Sequence, residues 1–224
     1  INKITSASPV DYAAEELKKY LRMMMPECGD IKIAYNPLAK DGFRLGVMED
    51  FGLDTSDERD TDEDDIIYID TDERGGLILG DNIRSILLAV YEYLRKNGCR
   101  WLLPGIDGEY IPMKDVSPVK YRHVANMRYR GHCIEGSVSQ QILNDFVDFM
   151  PKVGLNTFML QFRVPEVFYE RFFGKSDRVK LRENEIVNDN TFLAWTRLTE
   201  CEMAKRGIML HSYGHGFTAD PFCN

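Results

Sequence analysis

The sequence predicts an α/β protein, in which a small α+β domain is followed by the first three β/α units of a TIM (β/α)8 barrel. Up to about residue 120, short apolar runs alternate with two amphipathic helical patterns, which is typical of a small α/β domain. From about residue 121 the order becomes strand, helix, strand, helix, strand, as parallel β/α units require. We therefore predict two domains, residues 1–120 and residues 121–224, of which the second is a truncated barrel.

Composition indicates a folded, acidic protein. The 224 residues, 44% of them hydrophobic, suffice for one large domain or two small ones with their own cores. A formal net charge of -8 argues against a surface that neutralises nucleic-acid phosphates. The five cysteines lack C-x-x-C spacing, so we expect no zinc site and no disulfide framework, and most thiols free and buried. We expect no cofactor and no nucleic-acid partner.

The sequence gives no sign of a membrane span, because no apolar run approaches about 18 residues. The N-terminus also lacks a basic stretch followed by an apolar one. The chain begins with Ile1, so localisation stays open. The protein is secreted or periplasmic if a signal peptide was removed, and cytoplasmic otherwise.

Ser8 is expected to cap the first predicted helix, with Pro9 at its first helical position and Asp11 in its first turn. Its apolar face is regular and ends before Pro26. Strands are predicted at residues 31–35 and 43–48. The apolar face comprises Ala13, Leu17, Tyr20, Leu21 and Met24.

The polar stretch from residue 50 to 65 contains alternating Asp60, Asp62 and Asp64, a spacing that resembles a calcium loop. Such a loop needs glycine at its sixth position and glutamate at its twelfth, where this chain has Asp65 and Thr71. We therefore interpret the stretch as a solvated loop.

A hairpin and a second helix follow the acidic loop. Strands at residues 66–70 and 76–80 are joined by a turn over residues 72–75. Asp81 or Asn82 is expected to cap the next helix, which Gly98 ends. A short strand at residues 109–112 precedes a linker at residues 115–120.

The second domain is predicted to contain strands at residues 129–134, 157–162 and 207–213. Ser137 and Gln140 form a capping-box start for the helix between the first two strands. Asp189 or Asn190 is expected to cap the helix before the third. Residues 164–188 form an insertion whose length is typical of functional loops.

Candidate site residues are those at the carboxyl ends of the three strands, because barrels present substrate-contacting residues there. Structural roles are the alternative: Glu135 as an ion-pair partner, Arg163 as an anchor of the insertion, His211 as a buried hydrogen-bonding histidine. His211 and His215 are four residues apart, but no H-E-x-x-H glutamate accompanies them, so we expect no metal. The strand-end candidates are Glu135, Gln161, Arg163, His211, Tyr213 and His215.

Three stretches resemble known glycoside hydrolases. The run RYRGHCIEGSVSQQILNDFVDFMPKVGLNTFMLQF resembles the first strand, helix and second strand of the barrel in family 20, the β-N-acetylhexosaminidases. KRGIMLHSYGHGFT resembles their third strand and glycine-histidine turn. GGLILGDNIRSILLAVYEYLRKNGCRWLLPG is similar to the accessory α/β domain that precedes the barrel in family 20, in family 67 α-glucuronidases and in uncharacterised gut-bacterial relatives.

The resemblance implies roles for particular residues. Arg130 matches an arginine that grips hydroxyls of the terminal sugar, and His215 matches a histidine near the catalytic carboxylates. Glu135 stands where family 20 has an aspartate, and FMLQFRV replaces its W-H-L-V-D stretch. The family's aspartate–glutamate pair follows the third strand, beyond Asn224, so the catalytic residues of this protein are unknown.

We therefore interpret the chain as the N-terminal part of a glycoside hydrolase acting on terminal sugars of complex glycans. Arg130, His215, Glu135, Gln161, Arg163 and His211 are the predicted carbohydrate-binding residues. One alternative is a non-catalytic carbohydrate-binding or scaffold protein. Another is an α-glucuronidase, with Arg130 or Arg163 binding a uronic carboxylate. If the chain is complete, its exposed barrel edges predict a homo-oligomer.

Overall fold

A computed structural model describes residues 1–56, 60, 63–134, 140–160 and 189–212. These residues form three sheets and four α-helices. The helices are α1 (Ser8–Met24), α2 (Ile83–Lys96), α3 (Gln140–Lys152) and α4 (Asp189–Arg206). The strands are β1 (Asn2–Lys3), β2 (Ala34–Tyr35), β3 (Gly42–Val47), β4 (Ile66–Asp72), β5 (Gly75–Gly80), β6 (Arg100–Trp101), β7 (Glu109–Tyr110), β8 (Lys120–Val124), β9 (Gly131–Ile134), β10 (Thr157–Leu160) and β11 (Met209–Ser212).

The first sheet has six strands in the order β2-β1-β3-β5-β4-β8. The predicted hairpin is confirmed, because β4 and β5 pair antiparallel around a tight turn. Strand β8 pairs antiparallel with β4, although the sequence places a domain boundary at its first residue. The division at residue 120 thus stays a prediction, whereas β8 belongs to the first sheet.

Helices α1 and α2 pack against each other and against the first sheet. Their apolar stripes supply most of the larger hydrophobic core, including the fully buried rings of Tyr20 and Tyr91. Asn82 caps α2 by accepting hydrogen bonds from the backbone N–H groups of Arg84 and Ser85, one of the two predicted options. The predicted cap of α1 was wrong: the helix already includes Ser8, and Ala7 stands at the cap position without a side-chain hydrogen bond.

The second sheet contains three parallel strands in the order β11-β10-β9. Neighbours in space are therefore neighbours along the chain, as the repeated strand–helix rhythm predicts. Helices α3 and α4 cover one face of this sheet. Their apolar contacts form a smaller core around Phe158, with Leu143, Val147, Met150, Phe192, Met203 and Ile208.

Several strands are shorter than the sequence predicts. Residues 31–33 lie outside β2, because the strand pairs with β1 over only two residues. Gly207 directly follows α4, and its φ of 68° is in the left-handed region that favours glycine. A Cβ there would lie 2.9 Å from Cβ of Arg84 on α2, so glycine also permits this close approach.

A polar cluster joins α1 to α3 and α4. The Asp148 carboxylate on α3 accepts hydrogen bonds from the Tyr12 hydroxyl at 2.8 Å and from the Arg206 guanidinium at 2.9 Å. Lys152 contacts Asp148 at 2.5 Å and Glu109 at 2.6 Å. Burial alone would raise the pKa of Asp148, but the charges of Lys152 and Arg206 and their hydrogen bonds lower it to about 2.

Candidate functional site

The carboxyl ends of β9, β10 and β11 lie at one edge of the second sheet, because the three strands are parallel and in register. Phe158 points to the helices and is fully buried. Its sequence neighbour Met159 therefore points to the opposite face. Register pairs Met159 with Cys133 on one side and His211 on the other, so these three side chains form a row on that face. The described helices that pack on this sheet, α3 and α4, lie on the other face, so we call this one the helix-free face. This face and its edge are the candidate site.

His211 is the predicted site residue that the structure places on this face. It is the third residue of β11 and is partly buried. Its imidazole meets the Tyr129 ring edge-on, with ring centroids 5.1 Å apart and an interplanar angle of 68°. Tyr129 was not among the predicted site residues, because it precedes β9 and no local pattern distinguishes it.

Arg130 lies immediately before β9, at the amino-terminal edge of the second sheet. Its Nε donates to the Gly154 carbonyl at 2.8 Å, and Nη1 donates to the Met127 carbonyl at 2.6 Å. Nη2 donates to Asp65 at 2.5 Å. These contacts occupy much of its donor fork, and strand ends that face substrate in barrels lie at the other edge. Binding of sugar hydroxyls by Arg130 stays a prediction.

Asp65 is the centre of the polar cluster that holds Arg130. Oδ1 accepts hydrogen bonds from Arg84 at 2.9 Å and Ser85 at 2.6 Å, both on α2. Oδ2 accepts from Arg130 and from the Asn156 amide at 2.8 Å. Burial alone would raise the pKa of Asp65, but Arg84, Ser85 and Arg130 hold it below its usual value. The cluster therefore joins the start of β4 to both β9 and β10.

The other predicted site residues lie outside the described part of the chain. They are Glu135, Gln161, Arg163, Tyr213 and His215. Three of them, Glu135, Gln161 and Tyr213, follow the row residues Cys133, Met159 and His211 by two positions in the sequence. Their contacts with carbohydrate stay predictions.

A second concave region lies between the first sheet and the loop that follows α3. This junction cavity has a volume of about 500 Å³ and is bounded by α2, β6, β8 and the segment around Gly154. Tyr121 and His123 line it from β8, and Trp101 lines it from β6. Tyr121 and His123 were not among the predicted site residues, because residues 115–120 were interpreted as a linker and β8 was not predicted. Alternation along KYRHV is the signal that would have placed both rings on one side.

The described part of the chain contains four free cysteines that differ in burial. Cys28, Cys133 and Cys201 are exposed free thiols, so the expected burial is wrong for them, whereas Cys99 is buried. Burial raises the pKa of the Cys99 thiol to about 11. Among the residues that the structure describes, no three His, Cys, Asp or Glu side chains are grouped as metal ligands. No helix in this part of the chain is long and apolar enough to cross a membrane.

No protein-family model and no curated protein sequence matches the chain. Solved structures do resemble it. The family 20 β-N-acetylhexosaminidase from Streptomyces coelicolor A3(2) has a TM-score of 0.55 at 12% identity, over 94% of this chain and 41% of that enzyme. The N-acetyl-β-hexosaminidase from Streptomyces plicatus has a TM-score of 0.57 at 11% identity, over 94% and 40%. The family 89 glycoside hydrolase from Clostridium perfringens has a TM-score of 0.51 at 17% identity, over 89% and 24%.

The chain has a glycoside hydrolase-like fold. It spans less than half the length of each of these structures. Because they include families 20 and 89, the likeness supports the coarse resemblance to glycoside hydrolases and does not select one family.

Proposed function

We propose that this chain is the N-terminal part of a glycoside hydrolase that acts on terminal sugars of complex glycans. The observation that carries the proposal is the parallel second sheet, whose strands β9, β10 and β11 end at one edge in chain order. This arrangement corresponds to the opening of a (β/α)8 barrel, in which substrate binds at the carboxyl ends of the strands. The glycoside hydrolase-like fold supports the same interpretation.

His211 contributes to the proposed site from the helix-free face of the second sheet. An imidazole can donate one hydrogen bond and accept another, which suits a sugar hydroxyl or a catalytic carboxylate. Arg130, Glu135, Gln161, Arg163 and His215 complete the proposed carbohydrate-binding set. The acid that protonates the leaving oxygen, and the nucleophile or base, are proposed to lie in residues that follow this chain.

Hydrolysis of nitrophenyl glycosides tests the proposal, with N-acetylglucosaminide and glucuronide in the panel. The 224-residue chain and the full-length product of its gene are assayed side by side. We expect turnover of one glycoside by the full-length product and none by the chain alone. If neither form hydrolyses any glycoside but both retain sugar binding, the carbohydrate-binding alternative replaces this proposal.

A pair of histidines gives a matched control in the full-length product. His132 lies on the helix side of β9, where its ring stacks on Phe146 with centroids 4.8 Å apart. His211→Ala is expected to lower kcat/KM at least about tenfold, because it removes a proposed substrate contact. His132→Ala is expected to change it less than about twofold. Equal effects of the two substitutions would contradict a substrate contact at His211.

A further inference from the structure

The guanidinium of Arg100 lies at the junction cavity and is anchored through one of its three nitrogen atoms. Arg100 lines the cavity from β6, and its Nη1 donates to the carbonyls of Arg95 and Cys99, each at 2.7 Å. Among the described residues, Nε and Nη2 of Arg100 have no hydrogen-bond acceptor. Because Nη1 is anchored, less conformational freedom is lost when the opposite edge binds a planar anion.

Arg100 also differs from the other arginines and the lysine that line the cavity. Arg95 pairs with Glu92 at 2.6 Å, Arg130 with Asp65 at 2.5 Å, and Lys152 with Asp148 at 2.5 Å. Within the described part of the chain, Arg100 forms no ion pair. Arg100 is exposed to solvent at the cavity, and an arginine that shares no carboxylate there is available to bind an anionic ligand.

The junction cavity is also lined by the carboxylate of Glu92 and by the rings of Tyr121 and His123. The Glu92 side chain is only 10% exposed, and its Oε1 accepts no hydrogen bond from the described residues. Oε1 lies 3.6 Å from Nζ of Lys96, which in turn lies 4.1 Å above the Tyr121 ring. The Tyr121 and His123 rings are nearly parallel, with centroids 6.2 Å apart. The cavity thus offers, beside apolar ring surface, a carboxylate oxygen that is ion-paired with Lys96 but accepts no hydrogen bond from the described residues.

We propose that the junction cavity binds a uronic acid residue of a saccharide. Nε and Nη2 of Arg100 would donate to the sugar carboxylate, and Glu92 would accept a hydrogen bond from a sugar hydroxyl. A free phosphate satisfies Arg100 but supplies neither an apolar face for the rings nor a sugar hydroxyl for Glu92. The volume of about 500 Å³ lies within the usual range for small-ligand pockets.

Tryptophan fluorescence tests the proposal, because Trp101 lines the cavity and the chain contains one other tryptophan, Trp195. In a Trp195→Phe background the signal comes from Trp101. Titration with D-glucuronate is expected to saturate with a Kd of about 1 mM, as for a ligand of this size. D-Glucose and inorganic phosphate are expected to bind at least about tenfold more weakly.

Three variants separate charge from shape in this experiment. Arg100→Gln is expected to remove the preference for glucuronate over glucose, whereas Arg100→Lys keeps the charge and should retain part of it. Arg74→Gln, at an exposed arginine in the β4–β5 turn, is the matched control and should bind glucuronate unchanged. Circular dichroism verifies that each variant is folded. Equal binding of glucuronate and glucose, equal binding of phosphate, no saturation, or an unchanged Arg100→Gln variant would overturn the proposal.

The proposed uronate site and the proposed glycosidase activity can be refuted independently of each other. Arg100 lies on β6 and the strand-end site lies on the second sheet. In the full-length product, Arg100→Gln should therefore leave hydrolysis of small nitrophenyl glycosides unchanged while removing glucuronate binding at the cavity. A parallel loss of both would mean that the cavity belongs to the hydrolytic site and would contradict a separate uronate site.

Discussion

Asp65 and Asp148 both connect the first sheet and its helices to the second sheet and its helices, but in opposite surroundings. The Asp65 side chain is 2% exposed, whereas that of Asp148 is 32% exposed. Asp65 joins two cations, a hydroxyl and an amide at the ends of strands. Asp148 joins helix surfaces, where its cationic partners Lys152 and Arg206 also contact Glu109 and Glu202.

The comparison shows how two ion clusters of similar composition have different consequences. At the buried site, removing one carboxylate leaves two guanidinium groups with less compensation in a poorly solvated region. At the Asp148 site, the carboxylate that is lost is partly solvated, and Glu109 and Glu202 remain as partners of the two buried cations. We therefore expect Asp65 to determine how the two sheets are fixed together, and Asp148 to adjust stability.

Replacement of Asp65 should have the largest effect. Asp65→Asn is expected to lower the free energy of unfolding by about 3–5 kcal/mol, because Arg84 and Arg130 lose their shared carboxylate. Urea unfolding followed by circular dichroism measures the change. Asp115→Asn, at an exposed aspartate, is the control and should change stability by less than about 0.5 kcal/mol. A loss below about 1 kcal/mol for Asp65→Asn would contradict the difference between the two clusters.

Replacement of Asp148 should have a smaller effect. Asp148→Asn is expected to cost about 1–2 kcal/mol in the same unfolding experiment, because Lys152 keeps Glu109 and Arg206 keeps Glu202. High salt should shrink this loss more than the loss caused by Asp65→Asn, since the Asp148 carboxylate is more exposed to ions than that of Asp65. If Asp148→Asn lowers the free energy of unfolding as much as Asp65→Asn does, the exposure of the carboxylate does not determine the size of the effect.

Acid should produce the smallest change. The pKa of Asp148 is about 2 in the folded chain, below the ordinary value of 3.8. A lowered carboxyl pKa stabilises the fold above the ordinary pKa, and this stabilisation is lost as pH falls towards 2. The stability difference between the parent chain and Asp148→Asn should therefore shrink by about 1 kcal/mol between pH 5 and pH 2.5, after allowance for solvent screening. If the stability difference between the parent chain and Asp148→Asn grows as pH falls, the pKa of Asp148 is not lowered in the folded chain.

Local patterns predicted the elements that depend on local physics. The apolar stripes predicted α1 and α2, and a short turn predicted the β4–β5 hairpin. Strand β8 was missed because its sequence is polar and its side chains are mostly exposed, as is usual for a strand at a sheet edge. The β-strand propensity of its residues does not by itself distinguish such a strand from a linker.

Long-range contacts were not predictable in the same way. Sugar binding by Arg130 is implied by the resemblance to family 20 and stays a prediction, whereas the contact of its guanidinium with Asp65, 65 residues away in the sequence, was not predicted. Asn156 joins the same carboxylate from 91 residues away. No local pattern encodes these pairings, because they depend on how the two sheets are placed together. The position of His211 near the carboxyl end of β11 was predictable, because it depends only on the order of strands and helices along the chain.

The position of β8 in the first sheet also has a consequence for the order of synthesis. All strands of that sheet lie within the first 124 residues, and β9 begins at Gly131. During translation the six-stranded sheet can therefore close before any strand of the second sheet leaves the ribosome. The later strands then fold onto a finished surface that already presents the Asp65 carboxylate as a template for Arg130 and Asn156.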